Sequence, residues 1–197
     1  MSDLSSQTPR YPRPHQGLSP GRFSNEEAEQ DWSGTVETQS GMKIDVRPAS
    51  PSDHDALKSF FEQVSRDDLY YRFLSGMHRV DEERLQHMLR DDDDLTIDFL
   101  ALDSGTGEVL ASAMLGADDR FERAEFAVVT RHDMKGRGIS WALLDHAVRY
   151  AKAAGIKTIS SLESATQSGA LRLEREMGFT TRSVPDDATL VLAEKTL

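Results

Sequence analysis

Six consecutive residues, Lys135-Gly136-Arg137-Gly138-Ile139-Ser140, bring two glycines, two cations and a hydroxyl into one short stretch. Between a strand and a helix, these residue types suit an anion. Glycine has no Cβ, so backbone can approach a ligand closely. The first N–H groups of the following helix, at the positive end of its dipole, point into the same gap. A second candidate stands just upstream. Glu125 lies in AEFAVVT (124–130), where strand alternation places its side chain on one face with Ala127 and Val129. A carboxylate on an otherwise apolar line loses hydration, which raises its pKa toward the range of a useful general base. The competing reading makes Glu125 a solvated strand end or a partner of Arg123, and residues 135–140 an ordinary strand-to-helix turn.

These groups need a frame. Residues 124–130 have the β-branched and aromatic content of a strand. From Ile139 on, Leu143, Leu144, Ala147, Val148 and Ala151 recur on one helical face, and Gly155 supplies a left-handed stop. Upstream, Lys43–Arg47 alternates as a first strand, and Ser50-Pro51-Ser52-Asp53 opens a helix in which Leu57, Phe60, Phe61 and Val64 share a face. Residues 67–74 and 81–90 continue as two helical pieces, the second with Leu85, Met88 and Leu89 pointing inward. Tyr70, Tyr71 and Phe73 fit core packing better than an acceptor pocket. Strands at 96–102 and 109–115 join through DSGTG as a hairpin and take 122–130 as neighbour. Then come a strand at 156–162, a helix at 167–177, and strands at 180–184 and 188–193 around Pro185-Asp186-Asp187. The sum is a mixed α+β domain, one sheet with helices on both sides. Residues 1–41, rich in Ser, Pro, Gln, Gly and charge with few aliphatics, read as a disordered tail, leaving 42–197 as a single domain.

Several function classes are excluded or disfavoured. Neither G-x-x-x-x-G-K-[ST] nor a G-x-G-x-x-G after a strand occurs, and there is no G-x-S-x-G elbow. With no cysteine there is no disulfide framework, thiol nucleophile or Cys-based zinc site, which fits a reducing cytoplasm. No metal is expected, because His54, His78, His87 and His146 fall in predicted helices without metal-pair spacing and read as surface or cap residues, while His132 lies in the loop before the turn. Asp91–Asp94 lack the spaced ligands of a calcium loop and read as a solvated turn. A net charge of −11 argues against nucleic acid and anionic membrane and would attract an amine or a basic protein. No apolar run spans a bilayer and no secretion signal opens the chain, so a soluble, cytoplasmic protein is expected.

Taken together, K-G-R-G-I-S, the preceding AEFAVV and the later EREMGF resemble the [QR]-x-x-G-x-[GA] cofactor loop and its flanks in the GNAT acetyltransferase superfamily, over about Met42 to Thr196. Lys135 stands in the Gln/Arg position and Ser140 in the last small one. The wording YYRFLSGMHRVDEERL looks like the matching segment of bacterial protein-lysine acetyltransferases. The resemblance implies the GNAT acyl-CoA N-acyltransferase fold: a mostly antiparallel sheet whose central parallel pair splays, with helices on both faces. It implies acetyl-CoA as co-substrate, a primary amine and preferably a protein lysine as acceptor, and direct attack in a ternary complex with Glu125 as base. The backbone of Phe126, Ala127 and Val128 would bind the pantetheine arm, Lys135, Gly136, Arg137, Gly138, Ile139 and Ser140 the pyrophosphate, and Gln167 would stand in for the family's frequent asparagine. Many relatives protonate the leaving thiolate with a tyrosine four residues before the late glycine, and here that position is Glu174. A small-amine acetyltransferase and a non-catalytic acyl-CoA sensor stay open beside this reading, as do acyl-chain preference and oligomeric state.

Overall fold

The computed structural model describes residues 18–74, 79–90 and 92–197. Residues 1–17, His78 and Asp91, on which parts of the sequence reading fall, lie outside these. Among the described residues the order is α1 (Asn25–Trp32), β1 (Gly34–Glu37), β2 (Lys43–Pro48), α2 (His54–Glu62), α3 (Arg66–Phe73), α4 (Glu82–Met88), β3 (Thr96–Asp103), β4 (Val109–Ala117), β5 (Arg123–Thr130), α5 (Ile139–Ala154), β6 (Thr158–Ser164), α6 (Ser168–Glu176), β7 (Thr180–Val184) and β8 (Asp187–Thr196). Single 3₁₀ turns at Pro51–Asp53 and His132–Met134 lead toward α2 and α5. One sheet holds the strands in the order β1-β2-β3-β4-β5-β6-β8-β7. Among the described pairings only β5 with β6 is parallel. This is the GNAT fold.

Strand alternation sorts the core into two layers. Ile97, Phe99, Ala101, Ala111, Ala113, Leu115, Ala124 and Phe126 meet α5 on one side, with α1 laid beside it. Leu100, Val109 and Val129 meet Leu57, Phe60, Phe61, Leu69, Leu85 and Met88 of α2, α3 and α4 on the other. Each strand side chain therefore belongs to one layer or the other. β6 begins at Thr158 rather than Ile156, because the Ile156 amide is spent on the Ala151 carbonyl at the end of α5.

The expected tail is corrected over 18–41. Ser24 caps α1 by accepting from the Glu27 amide, and β1 pairs antiparallel with β2. Leu18, Phe23, Ala28, Trp32 and Val36 are buried in the α5 layer. Five well-placed apolar side chains offset the ordering entropy even though the segment's average composition is polar. Tyr150 fastens it from the α5 side, its hydroxyl accepting from the Ser24 amide at 3.2 Å.

Candidate active site

β5 pairs with β4 from Ala124 to Thr130, but with β6 only at Arg123, Ala124 and Glu125. Beyond Ser160, β6 keeps pairing with β8 as far as Ser164. The two parallel neighbours thus diverge, and the β6-facing edge of Phe126–Thr130 has no strand partner. An open inner edge is costly unless something accepts from it, so such a gap marks a place for an extended ligand. The opening is a cleft of about 370 Å³ between β5, the loop before α5, and α6.

At the wide end of the cleft, a tight turn delivers the backbone. Arg131 is buried and held by Asp133 at 2.7 Å and Glu108 at 3.2 Å, which anchors the turn. Gly136 and Gly138 have φ of 73° and 81°. A side chain at Gly138 would meet the Gln39 backbone nitrogen at 3.3 Å, whereas one at Gly136 would project into open space. The β1–β2 turn supports this loop directly, Ser40 Oγ donating to the Arg137 carbonyl at 2.8 Å. Thr130 and Ser140 hydroxyls lie 2.8 Å apart across the loop's base. Among the described residues no acceptor takes the amides of Gly136, Arg137, Ile139, Ser140 or Trp141, so they stand available at the N-terminus of a 16-residue helix.

Of the cations expected here, Lys135 lines the cleft but its ammonium is ion-paired with the buried Asp68 of α3, which lines it too. Arg137 is exposed at the lip. Ile139 is buried under the loop, and Gln167, half-buried at the start of α6, lines the opposite wall. Gln39 and Tyr71 also line the cleft, the first from the segment read as a tail.

Glu125 stands at the closed end, where the parallel pairing stops. It lies on the α3 side with Ala127 and Val129, as alternation requires, but it is exposed, so the expected apolar envelope is not there. Its neighbour across β4 is Gly116, which has no side chain to cover it. Arg123 pairs with Glu194 instead, so the competing ion pair is not formed. Near Glu125 lies a buried charge pair, Arg72 with Asp98 at 3.9 Å. Burial pulls the Arg72 guanidinium's pKa down, opposed by the carboxylates of Asp98 and Glu125. Burial pushes Asp98 up to about 7, with Arg72 pulling the other way.

A second acidic group was not foreseen. Ser161 and Glu163 follow Ile159 on the helix-covered face of β6, and Glu174 points at them from α6. Ser161 Oγ donates to Glu174 Oε1 within the buried layer, and the Glu163 and Glu174 carboxyls are in hydrogen-bond reach of each other. Both carboxyls line the cleft. Burial, then the neighbouring Glu174, pushes Glu163 up to about 8. Burial also raises Glu174, against the pull of the Ser161 bond. The signal was present in the sequence: Glu174 follows the inward Leu171 at i+3, and Ser161 and Glu163 alternate with Ile159. Of the histidines, His146 was read as a surface or cap residue but is 1% exposed, enclosed by Trp32 and Phe99. Spacing along α5 cannot disclose this burial, because the cover is Trp32 of α1, in a segment whose composition is polar.

The profile of the Acetyltransferase (GNAT) family matches residues 57–179. An acetyltransferase of Pseudomonas aeruginosa is 25% identical over 154 residues, covering 77% of this chain and 83% of its own. Among solved structures, the GNAT domain of S. lividans PAT superposes with a TM-score of 0.77 at 24% identity, covering 84% of this chain and 97% of that one. The cAMP-binding acyltransferase from Mycobacterium smegmatis gives a TM-score of 0.57 at 17% identity, over 87% of this chain and 51% of that one.

Proposed function

Because the chain belongs to the acetyltransferase (GNAT) family, we propose that it transfers the acetyl group of acetyl-CoA to a primary amine, a protein lysine by preference, with Glu125 as general base. The observation that carries this reading is the meeting of two unsatisfied backbone rows, the open β5 edge and the amides around Gly136 to Trp141. An extended amide-bearing arm satisfies the first row and a pyrophosphate the second. Phe126, Ala127 and Val128 then hold the arm, and one of their amides polarises the thioester carbonyl. Gly136 and Gly138 let the pyrophosphate reach the α5 amides, Arg137 adds charge from the lip, and Gln167 contacts the arm from α6. Lys135 contributes only if it leaves Asp68.

A lysine amine has a pKa of about 10.4 and is almost wholly ammonium at neutral pH, so a proton must be removed before attack. In this reading Glu125, exposed where the parallel pairing of the strands ends, takes the proton directly or through one water. A lysine acceptor is supported by the wording of residues 70–85, by the likeness to S. lividans PAT and by the net charge of −11.

The test is acetyl-CoA incubated with the full chain and a cell extract, with free CoA measured and acetylated products identified by mass spectrometry. Wild type should release CoA and acetylate lysines. Glu125→Gln should lower kcat by about 10²-fold or more while binding CoA as before. Unchanged turnover in that variant removes Glu125 from its role, and modification of small amines alone removes the protein acceptor.

A further inference from the structure

Acyl transfer leaves a thiolate that needs a proton, and the family's tyrosine position holds Glu174 here. Resting on the acetyl-CoA reading above, we infer that Glu163 donates this proton from the open wall of the cleft, with Glu174, fixed by Ser161, as its positioning partner.

Register gives the placement. Glu125 pairs with Ser160 at the last parallel rung, so three residues further on Glu163 stands level with Val128 across the gap. It therefore faces the stretch of β5 that would carry the arm. Glu174 is buried behind it, with Ser161 donating to Oε1, while Oε2 has no hydrogen-bond partner among the described residues. That second oxygen needs a proton from somewhere, and the facing carboxyl supplies it.

The surrounding charges leave the pair uncompensated. On α6, Arg172 is paired with Glu176 at 3.4 Å, and Arg175, whose charge weakly favours an ionised Glu174, donates to Thr181 at 3.3 Å. Across the cleft, Lys135 and Asp68 are paired with each other. Two close, buried carboxyls without a cation cannot both ionise, so the pair keeps a proton at neutral pH, as burial already implies for Glu163.

In the step itself, Glu125 has passed the ammonium proton on to solvent. The neutral amine nitrogen bonds to the thioester carbon, and the second N–H proton, which the amide must lose, goes to the Glu125 carboxylate, which returns it to solvent before the next turnover. The C–S bond breaks with its electron pair going to sulfur. The Glu163 proton moves to that sulfur, giving the CoA thiol, and solvent reprotonates the carboxylate before the next turnover. Glu163 is matched to this work because a thiol with a pKa of about 8.5 is protonated best by an acid in the same range.

The experiment uses the full chain with acetyl-CoA and poly-L-lysine, comparing wild type, Glu163→Gln and Glu174→Gln. Calorimetry with CoA comes first, and wild type that binds no CoA would fail the function reading, not this inference. Infrared difference spectra of the CoA complex should then show a protonated carboxyl at pH 7 that is missing in Glu163→Gln. The pH profile of kcat should fall on the alkaline side in wild type. In Glu163→Gln, kcat should drop by about 10²-fold and lose that alkaline limb, with CoA affinity unchanged. Glu174→Gln should shift the limb to lower pH, a change that lost packing alone would not produce. A wild-type limb in both variants, or no protonated carboxyl at pH 7, overturns the inference.

Discussion

His146 on α5 and Glu174 on α6 are buried polar side chains whose charged forms burial disfavours, and they end up doing different things. Burial, reinforced by the Arg149 charge, pushes His146 down to about 3, so the imidazole is uncharged. Burial raises the Glu174 carboxyl, so it too resists charge. The surroundings differ. His146 is walled by the rings of Trp32 and Phe99, with centroids at 5.7 Å and 4.7 Å, and lies within the dry layer. Glu174 touches Ser161 and Glu163 and lines the cleft. A perturbed pKa therefore marks burial in both places, and only beside the cleft can such a group act on a neighbour, Glu163, that exchanges a proton with substrate.

The comparison breaks most visibly if the wall around His146 is removed. Trp32 is buried against His146 and Tyr150, with the Arg149 guanidinium 5.8 Å from its ring centroid. Trp32→Ala should cost about 3–5 kcal/mol in urea denaturation, the range for a large buried aromatic. A cost below about 1 kcal/mol would show that residues 18–41 are an ornament on the fold rather than part of its core.

The next effect is a pH dependence whose sign is set by His146. Its folded pKa of about 3 lies below the ordinary 6.5, so the unfolded chain binds the proton first as pH falls. The stabilisation is complete above about pH 6.5 and is lost between there and about pH 3. His146→Phe removes the titration and keeps a ring among rings. Between pH 7 and pH 4 its stability should fall less steeply than that of wild type, by on the order of 2–3 kcal/mol. Identical slopes in thermal melts would mean that His146 is solvated in the folded state.

How much of this the sequence disclosed follows from where the signal is concentrated. α5 was legible because five apolar residues share a face and Gly155 ends it, and the splayed β5–β6 pair was legible from the wording around AEFAVV and K-G-R-G-I-S. Residues 18–41 were not, because Leu18, Phe23, Ala28, Trp32 and Val36 are spaced four or five apart among acidic and polar residues, and their partners on α5 and β3 are far along the chain. Within the site, alternation gave the face of Glu125 correctly but not its exposure, which depends on Gly116 opposite it in β4. Lys135 looked free for phosphate because nothing local indicates that Asp68, 67 positions earlier, reaches it. The Glu163–Glu174 contact is likewise a matter of two elements meeting, although each residue's inward position could be read locally.

The smallest effect separates the cleft wall from the dry layer with the opposite sign. Glu163's folded pKa of about 8 lies above its ordinary 4.5, so the unfolded chain loses that proton first as pH rises. Glu163 therefore contributes a progressive destabilisation from about pH 4.5 to about pH 8, opposed by the His146 titration up to about pH 6.5 and free of it above that. Glu163→Gln abolishes the titration and keeps the side chain's length. At pH 5 its unfolding free energy should match that of wild type, and by pH 9 it should exceed it by on the order of 1–2 kcal/mol, less than full burial would give because the carboxyl opens to the cleft. A variant equally stable at both pH values would place Glu163 in solvent, and the retained proton would then belong to Glu174 alone. A gain at pH 9 joined to a loss of turnover would be a trade of stability for reactivity, which the dry pocket around His146 has no means to make.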